Sequence, residues 1–254
     1  MGVLNVTPDS FSDGGRHLDH AAAVAHGRRL LTEGADLIDV GGESTRPGAE
    51  PVPEAEELRR VVPVIEALAA ETRVSVDTRK AAVAHAAIDA GATLVNDVSA
   101  SLHEVAAERG VGWVAMHMQG EPRTMQLAPG YDDVVAEVRD ALVAAAQRAR
   151  DAGVTEIWID PGIGFGKTAE HNWTLLAHLD ALVATGWPVV VGTSRKGFLG
   201  AALAAADGVD EAVPTDDRLA GSVTTAVWAI AAGAGMVRVH DVSATVLANR
   251  LVAA

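Results

Sequence analysis

Residues 189–200 read VVVGTSRKGFLG, and they carry the pattern that decides the fold. Three valines form a short apolar run and an Ala/Leu-rich segment follows, so the stretch predicts a buried strand that turns into a helix. Ser194, Arg195 and Lys196 then lie at the carboxyl end of the strand, where parallel α/β sheets collect ligand-binding groups. Lys196 is one of three lysines in the chain. It is a candidate ligand-binding residue, although a solvated residue at a helix start has the same pattern.

The same phrase, a helical stretch, a glycine and a short β-rich run, recurs along the chain. Glycine after a helix supplies the left-handed conformation that ends it. The glycines are Gly34, Gly91, Gly110, Gly153, Gly186 and Gly235. With two further runs, the phrase predicts eight strands: VLNV at 3–6, ADLIDV at 35–40, VSVD at 74–77, ATLVND at 92–97, VGWVAMH at 111–117, VTEIWID at 154–160, WPVVVG at 187–192 and MVRVHD at 236–241.

Amphipathic stretches between these runs predict helices. Val61, Ile65 and Leu68 keep helical spacing with charged residues on the opposite face, as do Val134 and Val138. Nearly continuous apolar strands that alternate with helices indicate a parallel sheet covered by helices. Eight such units in about 250 residues are typical of a single (β/α)8 TIM barrel, here spanning residues 1–254. A doubly wound open sheet is the structural alternative.

The composition limits the function. Cysteine is absent, which excludes disulfides and cysteine-ligated metal sites and suits a cytoplasmic location. No apolar run approaches the roughly 20 residues of a membrane span. A net charge of −14 argues against nucleic acid or an anionic membrane as partner, because phosphate contacts need a basic face. A small anionic substrate remains compatible, since a local cluster of cations can dominate the field inside a cleft.

Polar residues stand at the carboxyl ends of the predicted strands, which a barrel brings to one face. They are Asn5, Asp39, Asp77, Asn96 with Asp97, Met116 with His117, Asp160, residues 194–196, and Arg238 with His240. Each alone is equally explained by a structural role. Together they predict a pocket with one hydrogen-bonding wall of acids and amides and one cationic wall.

Several local motifs have a plainer explanation than catalysis. Residues 160–168, DPGIGFGKT, fail the phosphate-loop pattern at Pro161 and match a dinucleotide fingerprint only weakly. We interpret their glycines as permitting close approach to a flat ligand. His117 has no second histidine or cysteine at ligand spacing, which favours a core or pocket-wall residue over a metal ligand. The turn-rich residues 5–15 and 41–49 are loops that close over a ligand, or ordinary surface turns.

Eight motifs, in order and across essentially the whole chain, resemble the bacterial dihydropteroate synthase family. They are MGVLNVTPDSFSDGG, DVGGESTRPGA, VSVDT, VNDVSA, MHMQGEPRTMQ, DPGIGFGKT, SRKGFLG and RVHDV. The resemblance implies a TIM barrel that joins 4-aminobenzoate to (7,8-dihydropterin-6-yl)methyl diphosphate in folate biosynthesis. It also implies a homodimer that uses Mg²⁺.

The resemblance assigns a role to each motif residue. Asp77, Asn96, Met116, Asp160 and Lys196 are expected at the pterin. Asn5, Arg238 and His240 are expected at the diphosphate, with Asn5 also at the metal. The aminobenzoate and the closing loops involve Phe11, Thr45, Arg46, Pro47 and Phe165, and Asp13 helps to stabilise a pterin cation left when diphosphate departs.

Two departures from the family pattern are visible in the sequence. The family often has a serine directly after the lysine of the SRK motif, and this chain has Gly197 there. Family members also usually carry a short segment before the first strand. Because Met1 already lies in that strand, we expect this segment to be missing from the sequence.

Two other functions compete with the synthase. A methyltransferase domain of the pterin-binding barrel type would share Asp77, Asn96 and Asp160, but has no need of the TRPG, SRK and RVH motifs. A non-catalytic relative that binds pterin or a protein partner would have lost those motifs, which this chain retains.

Overall fold

The computed structural model describes residues 1–7, 19–44 and 48–253, and the described part contains all eight predicted strands. The strands are β1 (Gly2–Asn5), β2 (Leu37–Gly41), β3 (Arg73–Asp77), β4 (Leu94–Asp97), β5 (Gly112–Met116), β6 (Ile157–Asp160), β7 (Val190–Val191) and β8 (Met236–Val237). Strands β1 to β6 form one parallel sheet in chain order, and β7 pairs with β8 in parallel.

Two parallel bridges close these strands into a ring. Ile159 of β6 pairs with Val189, directly before β7, and Gly2 of β1 pairs with Val239, two residues after β8. The second junction is reinforced by a hydrogen bond of 2.9 Å from the Val3 N–H to the Val239 carbonyl. The ring of eight parallel strands confirms the predicted TIM barrel and removes the open-sheet alternative.

Helices cover the outside of the ring. They are α1 (His20–Thr32), α2 (Glu54–Ala69), α3 (Ala81–Asp89), α4 (His103–Arg109), α5 (Val134–Asp151), α6 (Ala169–Ala177), α7 (Leu179–Val183), α8 (Gly197–Asp207), α9 (Leu219–Ala231) and α10 (Val242–Val252). Their apolar stripes face the strands, as the spacing predicted: Val61, Ile65 and Leu68 of α2 are fully buried. No helix in the described ranges is both long enough and apolar enough to cross a bilayer.

The helix-ending glycines were predicted correctly at five positions and wrongly at one. Gly34, Gly91, Gly110, Gly153 and Gly186 all have positive φ. Before β8 the left-handed residue is Gly233, at φ +100°, two residues earlier than predicted. Gly235 serves a different purpose, because a Cβ there would lie 3.1 Å from the Trp158 ring. Its missing side chain lets β8 approach β6.

Candidate active site

A cavity of about 730 Å³ opens where the carboxyl ends of the strands meet. Its lining includes six of the residues predicted for the site: Asn5, Asp77, Phe165, Lys196, Arg238 and His240. The register explains part of this grouping, because Asn5 pairs with Gly41, and Gly41 pairs with Asp77. Gly41 has no side chain, and a Cβ there would lie 3.4 Å from the Cβ of Asp77.

A hydrogen-bonded network of charged groups lies at the base of this cavity. Arg238 donates from Nε to Oδ2 of Asp39 at 2.6 Å and from Nη2 to Oδ2 of Asp77 at 2.7 Å. Asn96 donates from Nδ2 to the same Asp39 oxygen at 3.0 Å. Arg238 therefore lies among the acids, and the predicted division into a hydrogen-bonding wall and a cationic wall is wrong on this side.

The sequence signalled Asp39 only as one polar strand residue among many. It is fully buried in the middle of β2, with apolar neighbours on both sides in the chain. Its Oδ1 has no hydrogen-bond partner within the described residues. A lone acid inside an apolar strand is a recognisable signal for a buried ion pair, because an unpaired charge there is costly. Its partner, Arg238, lies 199 positions away.

The network holds opposite charges in a small volume. Burial raises the pKa of the Asp77 carboxyl; Arg238 opposes the rise and Asp39 adds to it. Burial also acts to lower the pKa of Arg238, but Asp39 and Asp77 outweigh it and raise the pKa above its ordinary value. Arg238 therefore stays charged at any physiological pH and is shared between two acids.

Lys196 approaches the cavity from the turn after β7. Its Nζ donates to the Ile163 carbonyl and lies 4.6 Å from the centroid of the Phe165 ring. Burial lowers the pKa of Lys196 to about 8, against the opposing influence of Asp160. Burial likewise raises the pKa of Asp160, which Lys196 counteracts. An acid and an amine that both have displaced pKa values and influence each other are typical of a functional site.

Three of the predicted pterin residues lie outside the lining of the large cavity. Asn96 is buried beneath it and reaches it through Asp39, while Asp160 is buried and accepts a hydrogen bond from the Gly162 N–H at 2.7 Å. Met116, which pairs with Asp160, lines a neighbouring cavity of about 620 Å³. Their assignment to the pterin stays a prediction.

Asp97, grouped with Asn96 in the sequence, has a structural position instead. Its carboxylate accepts hydrogen bonds from the backbone N–H groups of Ser99, Ser101 and Leu102 and from Nε1 of Trp113. Because side chains alternate along a strand, the neighbour of an inward-facing asparagine faces the helices. Asp97 therefore shapes the turn into α4 and lies apart from the cavity.

Lys167 was missed because it stood in a motif that failed the phosphate-loop test. It is buried, and its Nζ is 3.0 Å from Nδ1 of His117, 3.3 Å from the His117 carbonyl and 3.0 Å from the Phe165 carbonyl. Burial lowers the pKa of Lys167 to about 7, and burial with Lys167 lowers that of His117 to about 4. The contacts match the predicted pocket-wall role of His117 and fasten the loop that carries Phe165.

Two glycines of residues 160–168, Gly162 and Gly166, pack against the protein backbone. The interpretation that they permit close approach to a flat ligand is therefore wrong at these two positions. A Cβ on Gly162 would lie 1.8 Å from the His117 carbonyl oxygen, and one on Gly166 would lie 2.2 Å from the Gln119 oxygen. Both glycines have φ near +60°. They let the loop after β6 pack against the chain after β5.

Replacing Gly162 with alanine is expected to lower the free energy of unfolding by about 3 kcal/mol, because the backbone cost of positive φ adds to a clash. Gly110→Ala is the matched control. Gly110 has φ +63° but nothing lies within 4 Å of a Cβ there, so it should cost only about 1 kcal/mol. Urea unfolding of both variants measures the difference, and equal losses would contradict the packing role of Gly162.

His240 and Asn5 occupy the side of the cavity next to Arg238. Ser194 Oγ accepts a hydrogen bond from the His240 N–H at 3.1 Å and lies 3.0 Å from Nδ1 of its ring. No group of three or more histidines, aspartates or glutamates in the described part of the chain could hold a metal. A magnesium ion with one protein oxygen, such as the Asn5 carboxamide, and further oxygens from a phosphate ligand and water fits these residues.

Five predicted residues lie outside the described ranges. They are Phe11 and Asp13 of the first loop, and Thr45, Arg46 and Pro47 of the second.

The fold and cavity define a barrel enzyme with charged and amide groups at its carboxyl-end face, and comparison with known proteins gives its family. The profile described as "Pterin binding enzyme" matches residues 1–240, and the chain belongs to that family. A dihydropteroate synthase of Mycobacterium leprae is 50% identical over the whole chain and 92% of the relative.

Two solved structures are similar over the full chain. A Yersinia pestis dihydropteroate synthase with a sulfonamide drug complex has a TM-score of 0.91 and 47% identity, and 92% of it is covered. A Xanthomonas albilineans dihydropteroate synthase with 4-aminobenzoic acid has a TM-score of 0.89 and 49% identity, and 91% of it is covered.

Proposed function

We propose that this chain is a transferase of folate biosynthesis that condenses (7,8-dihydropterin-6-yl)methyl diphosphate with 4-aminobenzoate to give 7,8-dihydropteroate and diphosphate. The observation that supports it best is the cavity that Lys196 and Arg238 line together with the buried Asp77. The full-length similarity to dihydropteroate synthases supports the same reaction. Residues 1–254 act as one domain in this proposal.

The carboxylates and Asn96 bind the edge of the pterin. A carboxylate accepts two parallel hydrogen bonds from a ring N–H and its adjacent amino group, as it does from a guanidinium. Asp160 is assigned to this contact, with Asp77 and Asn96 completing the edge. Met116 packs on the ring, and Lys196, which is drawn towards Asp160, contacts the ring carbonyl and the N5 side.

Diphosphate binds at Asn5, Arg238 and His240. Arg238 stays charged, but its guanidinium is already paired with Asp39 and Asp77. His240 is therefore assigned as a second group that stabilises the diphosphate charge. Mg²⁺ is the proposed cofactor, with Asn5 as its protein ligand. When bound, it supplies Lewis-acid stabilisation of the phosphate charge.

Aminobenzoate is placed beside Phe165, whose ring lies against the Lys196 ammonium. Arg46 and Pro47 complete this subsite, while Phe11 and Thr45 belong to the loops that close it. Gly197 offers no hydroxyl group to the aminobenzoate carboxylate at the position where the family often has serine.

The reaction proposed is dissociative. The bond between the pterin methylene carbon and the diphosphate oxygen breaks first, and diphosphate leaves with the electron pair. The methylene cation is delocalised into the pterin ring and stabilised by Asp13. The aminobenzoate nitrogen then forms the new C–N bond and loses its proton, which is readily released from an alkylated aniline. Closure of the loops excludes water that would capture the cation.

The proposal is tested by diphosphate release from dihydropterin diphosphate, with and without 4-aminobenzoate. Release that requires aminobenzoate and yields dihydropteroate supports it. Tight pterin binding without release would favour the non-catalytic relative, and methyl transfer from methyltetrahydrofolate to a corrinoid protein would favour the methyltransferase. Either result would overturn the proposed reaction.

Activity is expected to fall above about pH 8, because the Lys196 pKa lies near that value and its ammonium form makes the proposed pterin contact. Lys196 is protonated below this pH and neutral above it, so KM for the pterin substrate should rise on the alkaline side. In the Lys196→Arg variant the guanidinium that replaces the ammonium stays charged throughout the alkaline range of the assay. A pH profile of kcat/KM should therefore lose its alkaline limb in this variant, and an unchanged limb would contradict the assignment.

We also propose a cytoplasmic homodimer. Apolar side chains are exposed on two packed helices, with Trp228 of α9 at 56% and Leu251 of α10 at 71% exposure. Large apolar side chains left in water on packed helices favour association with another copy of the chain. Sedimentation equilibrium gives the oligomeric state directly, and a monomer at all concentrations would remove this part of the proposal.

A further inference from the structure

The turn between β7 and α8 contains a residue in an unfavourable backbone conformation. Arg195 has φ +60°, the left-handed region, which costs a residue with a Cβ about 1–2 kcal/mol. It stands between Ser194 and Lys196, and all three line the cavity. Such a conformation persists only where the surroundings over-determine it, so the contacts around Arg195 show what holds this turn.

The backbone of Arg195 is held by the start of α9. Its N–H donates to Oγ of Ser222 at 2.9 Å, and its carbonyl accepts from Nη1 of Arg218 at 3.0 Å. Ser222 donates in turn to the Arg218 carbonyl at 2.7 Å. Both peptide groups of the left-handed residue therefore have fixed partners.

The side chain of Arg195 is held by the residue before α10. Its Nε donates to Oδ2 of Asp241 at 3.0 Å and its Nη2 donates to Oδ1 at 2.6 Å. The pair is partly buried, with side-chain exposures of 34% and 20%. The hydrogen bond from Arg195 lowers the pKa of Asp241, which keeps the acid ionised. Two parallel charge-assisted hydrogen bonds fix direction as well as distance.

A second contact runs parallel to this pair. One residue earlier on each segment, Ser194 Oγ accepts from the His240 N–H and lies against the His240 ring. The two turns are thus joined at Ser194 with His240 and at Arg195 with Asp241. In the turn after β7, Lys196 directly follows Arg195. In the turn after β8, Arg238 precedes His240 and Asp241. A shift of either turn would displace the cations of the cavity together.

We propose that Arg195 and Asp241 are positioning residues, whose ion pair locks the left-handed turn and thereby sets Lys196 and His240 in the cavity. The roles of Lys196 and His240 rest on the proposed function, whereas the placement of Lys196 can be measured without turnover. Neither Arg195 nor Asp241 needs to touch the substrate, because the Arg195 guanidinium lies 2.6 Å from Asp241 and 3.7 Å from the exposed Asp216.

Arg195→Gly separates this role from simple stabilisation. Glycine adopts positive φ without the Cβ cost, so the turn conformation is allowed while the ion pair is lost. Asp241→Asn keeps the shape and removes the charge. We expect both variants to fold and KM for dihydropterin diphosphate to rise about tenfold, as is usual when a supporting residue behind a site residue is lost. Arg28→Ala, which removes an exposed two-point pair with Glu71, should leave KM and kcat unchanged.

The position of Lys196 is read by chemical labelling. Amine acylation followed by peptide mass spectrometry resolves the three lysines of the chain, and the pH midpoint of Lys196 labelling reports its surroundings. The groups facing its ammonium are Asp160, Arg238 and Asp77. The midpoint should lie near pH 8 in the wild type and rise by about one unit or more in both variants, as the amine moves towards water.

The inference is overturned if KM and the Lys196 midpoint stay at wild-type values in folded Arg195→Gly and Asp241→Asn. A lower melting temperature with unchanged KM in the folded fraction overturns it as well, because that is the result of a purely structural pair. Should the wild type release no diphosphate, the proposed function fails, and the labelling midpoints still decide whether the pair positions Lys196.

Discussion

Arg238→Ala is expected to lower the free energy of unfolding by about 3–5 kcal/mol and to reduce kcat/KM for diphosphate release at least about 100-fold. The loss is large because Asp39 and Asp77 both accept a hydrogen bond from this one guanidinium, and both are buried. Removing the cation leaves two desolvated carboxylates beside each other. Urea unfolding and steady-state kinetics measure the two effects.

Arg238→Ala with Asp39→Leu is the informative companion of this change. Removing Asp39 as well leaves Asp77 as the remaining unpaired acid of the network, so stability should partly return, whereas the diphosphate contact remains absent. A variant that regains both stability and activity would show that Arg238 serves only to neutralise Asp39. Full stability in the single Arg238→Ala variant would contradict the shared ion pair itself.

Asp160→Asn is expected to weaken pterin binding about 100-fold, equivalent to about 2.8 kcal/mol, with stability retained. The amide places N–H donors where the pterin edge needs acceptors. Stability should hold or improve because burial raises the pKa of Asp160. Such a group stabilises the fold while protonated, at low pH, and this contribution is lost as the pH rises through its folded pKa. Asparagine, which stays neutral, avoids that loss.

Asp97→Asn is the matched control for this change. Asp97 is also a buried strand-end acid, but its oxygens accept hydrogen bonds from the turn into α4. It should lose stability and keep its pterin affinity, the reverse of Asp160→Asn. Fluorescence titration with a pterin, run beside thermal unfolding, measures both quantities. Unchanged affinity in Asp160→Asn would remove Asp160 from the pterin site.

The fold could be predicted almost completely, because its signal is repeated. Each strand of a parallel barrel is buried on both faces, so its sequence is a short apolar run, and most of the described helices end at a glycine such as Gly34 or Gly153. Because the pattern of strand and helix repeats eight times, one misplaced helix end does not change the predicted fold. The helix end before β8 was such an error, because it lies at Gly233 and was predicted at Gly235. Strand ends were less certain: β7 and β8 have two residues each, since bends and bridges take up the rest.

The candidate site was predicted as a set of residues but not as a set of contacts. Barrel topology brings strand ends together whatever their sequence, which placed Asn5, Asp77 and Lys196 around one cavity. The pairing of Arg238 with Asp39 depends on register and side-chain alternation across the junction of β8 and β1. Those quantities have no local sequence signal, so the separate cationic wall was a reasonable but wrong expectation.

Lys167 and Arg195 were hidden for a different reason. Both are cations inside motifs, and a motif suggests that its charged residues face a ligand. Instead, Lys167 is held by His117 and the Phe165 carbonyl, and Arg195 by Asp241. The contact partner of each side chain decides whether it faces a ligand or the protein, and that partner cannot be inferred from the residues next to it.

The junction of β1 with β8 closes the ring between segments that are far apart in the sequence. Gly2 and Val239 are almost as far apart as the chain allows, and bringing such distant segments together is the slowest kind of contact to form. On the ribosome, Asp39 and Asp77 emerge long before the guanidinium that neutralises them. Docking of β8 therefore supplies the positive charge that Asp39 and Asp77 lack until that strand is in place.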